Sequence, residues 1–293
     1  MKRLVNLLLA AFSTTACATG RPALPQSDPA GDRRFVSSGV ATDRAPAVDL
    51  GTAMPDGFRI TWLGFSGFRI VTPQGKVVLI DPWTIHGPST PEAFRDIDRA
   101  DLILVSHAHR DHVGDSVDVA EKTGATVVAV YELVHHLEKR GVRRFVRLNE
   151  GGTWEGDGVR VTMVHASHSN VLLDGDDIRF AGNAAGYVIE FEGGFTLYHA
   201  GDTDVFSDMA LIGELYHPDL ALLPIGGMYT MGPRGAAKAI ELIGTKNVVP
   251  MHWGELGVLP GTPEQLQPLL RDEAVRVFPL ERGVTYDRSD FAR

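Results

Sequence analysis

Asp101-Leu102-Ile103-Leu104-Val105-Ser106-His107-Ala108-His109-Arg110-Asp111-His112 decides the reading of this chain. The first part is a short apolar run of the kind that forms a buried strand, and the second places four metal-binding side chains within six residues. Side chains alternate along extended backbone, so His107 and His109 leave the strand on one side and their imidazoles can converge on one ion. The chain must then turn, which carries Asp111 and His112 to a second position beside the first. A solvated polar loop would not need a potential ligand at every other position from His107 to Asp111, and the whole chain has only 11 histidines. Neutral imidazole with carboxylate suits zinc, and also iron or manganese.

Further candidates stand at the ends of expected strands, where ligands of layered α/β proteins gather. Residues 159–164 lead to His165-Ala166-Ser167-His168-Ser169, 195–198 to His199-Ala200-Gly201-Asp202-Thr203, and 247–249 to Pro250-Met251-His252-Trp253-Gly254. Asp202 can place one carboxylate oxygen near each of two ions, and cations about 3.5–4 Å apart can share a water and clamp substrate oxygens. The residues alone leave His165 and His168 as alternatives. Asp81, in Leu79-Ile80-Asp81-Pro82, reads equally as a histidine-orienting carboxylate and as a turn former. His199 falls short of the bridging position and reads as a core or supporting residue, whereas His86, His135, His136 and His217 have no such context. Ser167 and Ser169 are given no nucleophilic role, because water activation by metal needs none.

The order His107-x-His109-x-Asp111-His112, then His168, Asp202 in a Gly-Asp-Thr turn and His252, resembles the metal signature of the metallo-β-lactamase superfamily. Within it, Leu197-Tyr198-His199-Ala200-Gly201-Asp202-Thr203, Leu223-Pro224-Ile225-Gly226-Gly227 with Met231-Gly232-Pro233, and Val249-Pro250-Met251-His252 are similar to metal-dependent hydrolases related to ascorbate-6-phosphate lactonase. The likeness spans residues 58–286. It implies an α/β fold, the four-layer αββα metallo-β-lactamase sandwich, with two mixed β-sheets flanked by helices. It also implies two divalent metal ions, Zn2+ foremost with Mn2+ or Fe2+ as alternatives. One ion would lie on His107, His109 and His168, the other on Asp111, His112 and His252, with Asp202 bridging; the resemblance thus selects His168 over His165. The implied activity is a binuclear hydrolase using a metal-bound hydroxide on an ester, lactone or phosphoester bond, with Asp111 orienting the nucleophile or carrying its proton. Two rival readings are an enzyme similar to N-acylphospholipid phosphodiesterases and a metal-binding lipoprotein without turnover. A β-lactamase with a cysteine ligand is excluded, since Cys17, the only cysteine, lies outside the domain. The candidate substrate contacts are Asn183, the stretch 227–231 with Tyr229, and an apolar wall of Phe65 and Trp83; packing is the preferred reading of Tyr229.

Around this domain the chain divides simply. Met1-Lys2-Arg3, an apolar run over 4–12 broken by Asn6, and small residues over 13–20 have the layout of a secretory signal peptide, too short to span a bilayer. Thr14-Thr15-Ala16-Cys17 resembles a bacterial lipobox, although Leu is usual where Thr14 stands. Lipidation of Cys17 would tether the chain to the membrane on the periplasmic side, whereas cleavage in Ala16-Cys17-Ala18 would release it as a soluble protein. We therefore expect a signal peptide over 1–19, a flexible arm over 20–56 and the hydrolase domain over 57–288. Short strands are expected over 58–62, 67–72 and 76–80, then helices over 113–122, 132–140, 204–216, 235–243 and 263–271 between further strands. The net charge of −9, without a Lys/Arg run, excludes nucleic acid as the main partner and leaves a small-molecule or lipid substrate.

Overall fold

The computed structural model describes residues 50–292. The expected signal peptide with Cys17, and the arm as far as residue 49, lie outside the described residues. The described chain opens with one helical turn, α1 (Leu50–Ala53). Strands β1 (Arg59–Gly64), β2 (Gly67–Val71) and β3 (Val77–Ile80) then form an antiparallel meander. The parallel strands β4 (Leu102–Leu104), β5 (Thr126–Val130) and β6 (Phe145–Leu148) extend it. Helices α2 (Arg110–Val113), α3 (Ser116–Thr123) and α4 (Tyr131–Lys139) connect these parallel strands.

The second sheet repeats the plan. Strands β7 (Thr153–Gly156) and β8 (Val159–His165) pair antiparallel. The hairpin β9 (Val171–Asp174) and β10 (Asp177–Phe180) stands apart as a two-stranded sheet. Strand β11 (Ala185–Phe191) pairs antiparallel with β8 and with β12 (Thr196–His199). Strands β13 (Leu220–Pro224), β14 (Asn247–Met251) and β15 (Arg276–Val277) continue in parallel, interleaved with helices α5 (Met209–Tyr216), α6 (Pro233–Ile243) and α7 (Pro263–Leu266). Last, β16 (Thr285–Asp287) returns to the free edge of β1, followed by α8 (Arg288–Phe291).

Period-two alternation explains the layering. On β12 and β13, Leu197, Leu220 and Leu222 face the core between the sheets, while Tyr198, Ala221 and Leu223 face the layer of α5, α6 and α7. On the other side Val119, Leu133, Val134 and Leu137 of α3 and α4 cover the first sheet. Strands covered on both faces read as continuous apolar runs, as in Thr126-Val127-Val128-Ala129-Val130, where every residue is buried. The arrangement is the expected four-layer αββα sandwich with two mixed sheets flanked by helices.

Several boundaries differ from the sequence expectation, among them the helix expected over 263–271, which ends as α7 at Leu266. The folded unit starts by Leu50 rather than 57 and runs past 288, because Leu50, Met54 and Phe291 are all buried and Arg288 Nε donates to Gly51 O at 2.5 Å. The expected 113–122 helix begins only at Ser116, after α2 has ended at Val113, because Gly114 takes φ 49° and passes the backbone of Pro82 so closely that a Cβ would lie 2.5 Å from its oxygen. Helix α5 begins at Met209 rather than 204, because Asp204 N donates instead to Ser167 O.

Candidate metal centre

Each site residue follows the C-terminal end of a strand, where the chain leaves the ladder and can turn its side chains inward. Asp81 follows β3 with φ 46°, a left-handed conformation that costs energy for a residue with a Cβ and persists where the surroundings hold it. Its carboxylate is fully buried and accepts from Ser106 N (2.7 Å), Ser106 Oγ (2.6 Å) and His112 Nδ1 (2.7 Å). The loop after β4 is thereby tied to the end of β3. Ala108 N donates to Asn170 Oδ1 at 2.7 Å, which ties it also to the chain after β8. His252 follows β14 with φ 54° and donates its N–H to Phe65 O at 2.9 Å.

Two groups of donor atoms result, each with its ligand atoms within 4.8 Å of one another: His107, His109 and His168, and Asp111, His112, Asp202 and His252. In the first, His109 Nδ1 is 3.0 Å from His107 Nε2 and 3.2 Å from His168 Nε2. In the second, Asp202 Oδ2 is 3.2 Å from His112 Nε2 and 3.3 Å from His252 Nε2, and Asp111 Oδ2 is 3.5 and 3.4 Å from the same nitrogens. Asp202 Oδ2 also lies 3.8 Å from His168 Nε2, so this one oxygen faces both groups. Its partner Oδ1 accepts from Ser66 Oγ at 3.2 Å.

The hydrogen bonds behind the rings fix which nitrogen points inward. His112 Nδ1–H donates to Asp81, leaving Nε2 to face the carboxylates of Asp111 and Asp202. Because the Ser106 hydroxyl proton goes to Asp81, its oxygen is free to accept from His107 Nδ1 at 3.1 Å, which frees His107 Nε2. Burial separates the two groups electrostatically. It holds His107, His109 and His168 below the ordinary imidazole pKa, aided for His107 and His109 by the neighbouring His112. Burial also opposes a charge on His112, but Asp202, Asp111 and Asp81 outweigh it and lift His112 well above the ordinary value. His252 is raised in the same way by Asp202 and Asp111. For Asp111 and Asp202 burial is likewise overcome, chiefly by His112, and both carboxyls sit far below the usual carboxylate range.

These atoms fit metal. The first group is a neutral imidazole triad, the protonation state that ligates, and the second is a pocket of negative potential that draws a cation. Zinc bonds of about 2.0–2.1 Å in a tetrahedron demand donor separations of about 3.3–3.4 Å, and the second group's separations of 3.2 to 3.5 Å bracket that value. His112 Nε2 is buried and faces two carboxylate oxygens without a well-directed hydrogen bond to either, a disposition that a shared cation would satisfy.

All seven sequence-selected residues meet here. His165 does not: its ring is half exposed, faces Glu150 Oε1 at 3.2 Å and lies against Phe206. Asp81 proves to be an orienting carboxylate rather than a simple turn former. His199 is buried outside both groups, with Nε2–H donating to Ser66 O at 2.9 Å and Nδ1 accepting from Gly201 N. The groups open into a cleft of about 400 Å³ whose walls include Phe65, Trp83, Tyr229, Leu256 and Val258. Tyr229 is 58% exposed and borders this cleft, so the packing expectation for it does not hold; Asn183 is absent from the lining and supplies only a backbone oxygen to Asn170. The sequence reading missed Ser106, Asn170 and Ser66, since a lone polar residue near a ligand carries no pattern. Glu255 was missed as well: buried three residues after His252, it accepts from Phe65 N and Ser89 Oγ and pairs with Arg282.

Comparisons with known proteins agree with this geometry. Residues 76–253 match the family described as Beta-lactamase superfamily domain. The UPF0173 metal-dependent hydrolase of Koribacter versatilis is 45% identical over 230 residues, covering 78% of this chain and 98% of its own. That of Rubrobacter xylanophilus is 49% identical over 216 residues, covering 73% and 89%. Among solved structures, Igni18, a metallo hydrolase from the archaeon Ignicoccus hospitalis, superposes with a TM-score of 0.68 at 32% identity, covering 78% of this chain and 98% of its own. With the sandwich, the strand-end site and these matches together, this chain belongs to the metallo-β-lactamase superfamily, among the UPF0173 metal-dependent hydrolases.

Proposed function

We propose that the chain is a binuclear hydrolase acting on an ester, lactone or phosphoester bond, with His107, His109 and His168 holding one divalent cation and Asp111, His112 and His252 the other, bridged by Asp202. Zn2+ is the first choice from the donor set, with Mn2+ or Fe2+ as alternatives. The observation that carries the reading is Asp202 Oδ2, which stands between the two groups at 3.2 to 3.8 Å from His112, His252 and His168. A cation pair held by these residues would supply Lewis acidity and would lower the pKa of an attacking water to about 7.

The chain's own residues do the rest. Asp111 is the more open of the two carboxylates and lines the cleft; kept ionised, it can accept a hydrogen bond from a water and aim it at the substrate. Phe65, Trp83 and Leu256 remove bulk water from one side of the reacting bond. A second reading, an enzyme similar to N-acylphospholipid phosphodiesterases, draws support from this apolar wall and from Leu173, Ile178 and Phe180, each at least 67% exposed on the β9–β10 hairpin. We also propose that the protein is exported and anchored through a lipidated Cys17, on the strength of the pattern over residues 1–20. Mass spectrometry of membrane-extracted protein would then find an acylated Cys17 at the mature N-terminus; a released, unmodified chain speaks against it.

Elemental analysis with a substrate panel tests the enzyme reading. The purified protein is expected to carry about two ions and to hydrolyse at least one of p-nitrophenyl esters, bis-p-nitrophenyl phosphate and simple lactones, and Asp202→Ala to fall to one ion or none with loss of turnover. Two ions retained in Asp202→Ala would remove the bridge from the reading.

A further inference from the structure

The cleft above the two donor groups is asymmetric in a way that metal binding does not explain. Asp111, Asp202, His109, His168 and His252 all turn toward one another at its floor. Arg110, between His109 and Asp111 in the chain, lines the same cleft, and its guanidinium makes no hydrogen bond or ion pair with any described residue. It lies over the face of Trp83, with the guanidinium carbon 5.8 Å from the ring centroid. Trp83 in turn lies 5.3 Å, centroid to centroid, from Phe65. Several other arginines among the described residues are held by carboxylates, as in Arg147 with Glu138, Arg160 with Glu190 and Arg282 with Glu255. Among the described residues that line the cleft Arg110 is the one Lys or Arg, and its five donors are unspent beside an aromatic wall.

Resting on the hydrolase reading, we propose that Arg110 is the anion-recognition residue of the substrate site, and that the substrate joins a carboxylate or phosphate to an apolar or aromatic group. The aromatic or alkyl part lies against Phe65, Trp83 and Leu256, and the anion reaches outward to the guanidinium fork while the scissile bond sits over the donor groups. Arginine suits this role because its planar fork meets carboxylate and phosphate oxygens two at a time. Trp83 helps by stacking with the guanidinium, which reduces the freedom lost when an anion binds.

The test reads binding without turnover, so its failure is separable from failure of the hydrolase reading, which would show instead as missing metal or missing hydrolysis. Calorimetric titrations of the full-length, zinc-loaded protein compare 4-phenylbutyrate, 3-phenylpropyl phosphate and the neutral 4-phenylbutanamide. At least one anion is expected to bind about tenfold tighter than the amide, the worth of one hydrogen bond to a charged group. The tighter anion names the headgroup. R110Q should lose that preference while its amide affinity, metal content and melting temperature stay as in the parent. A preference that survives R110Q assigns the anion to the cations instead and overturns the proposal, as does equal affinity for all three ligands or no binding of any.

Discussion

At the scale of single residues, the site depends on side chains whose task is to aim others. Asp81 has no place in either donor group, yet its carboxylate reaches His112 Nδ1 at 2.7 Å and Ser106, which in turn supports His107. Removing such an orienting carboxylate typically costs 10–100-fold in metal affinity. Asp81→Asn is therefore expected to weaken one of two binding steps by about that factor in a titration against a competing chelator. The step that His112 serves should weaken more than the step at the imidazole triad, which Asp81 reaches only through Ser106; equal weakening of both, or of neither, contradicts this. The paired histidines after β8 give a cleaner contrast. His168 faces His109 at 3.2 Å and Asp202 at 3.8 Å, whereas His165 turns away to Glu150. His168→Ala should lose about one ion per chain by elemental analysis and His165→Ala none. The reverse result would exchange their roles.

At the scale of elements, the strand ends place these side chains, and the turns after them have little freedom. Gly201, between His199 and Asp202, takes φ 62°, and a Cβ there would lie 2.5 Å from Ala185 O and 3.1 Å from Ser106 Cβ. Gly201→Ala adds left-handed strain of about 1–2 kcal/mol and a backbone clash worth about 1–3 kcal/mol. We expect a loss of about 2–5 kcal/mol in denaturant unfolding together with reduced metal content, because relief of the clash moves Asp202. A stability within 0.5 kcal/mol of the parent would mean that the turn relaxes freely, as ordinary surface positions do. The same elements show what sequence makes legible. Strands such as Thr126–Val130 announce themselves because both faces are covered, and all seven donors stand in local motifs at strand ends. The β9–β10 hairpin went unread although Asp174-Gly175 between apolar residues is a turn signal; its alternation exposes Leu173 and Ile178 and so resembles no buried strand. Helices α1 and α8 were unreadable for another reason. Each is four residues long, and what holds them is mutual contact across the full span of the domain, as between Arg288 Nε and Gly51 O.

At the scale of the whole molecule, the two donor groups make the metal-free protein sensitive to pH from opposite sides. His112 and His252 have raised pKa values in the fold, so between about pH 6.5 and those values the native state holds protons that the unfolded chain has released. Their contribution to stability is complete below about pH 6.5 and is lost as pH rises. His107, His109 and His168 have lowered values, so below about pH 6.5 the unfolded chain takes up protons that the native state refuses. Stability therefore also falls as pH drops. Asp111 and Asp202, held far below the usual range, add a slope only under about pH 4, outside this window. The chelator-treated protein is thus expected to melt highest near pH 6.5 and lower at both pH 5 and pH 8.5. Metal changes the alkaline side. Cations held at the proposed donor groups would take over the charge that protons on His112 and His252 supply, and would bind more firmly as those protons leave. The metal-loaded protein should gain melting temperature over the metal-free form by an amount that grows from pH 6.5 to pH 8.5 and shrinks toward pH 5, where protons compete for the imidazoles. Parallel melting curves for the two forms across this range would mean that the clustered histidines and carboxylates do not bind the ions at all.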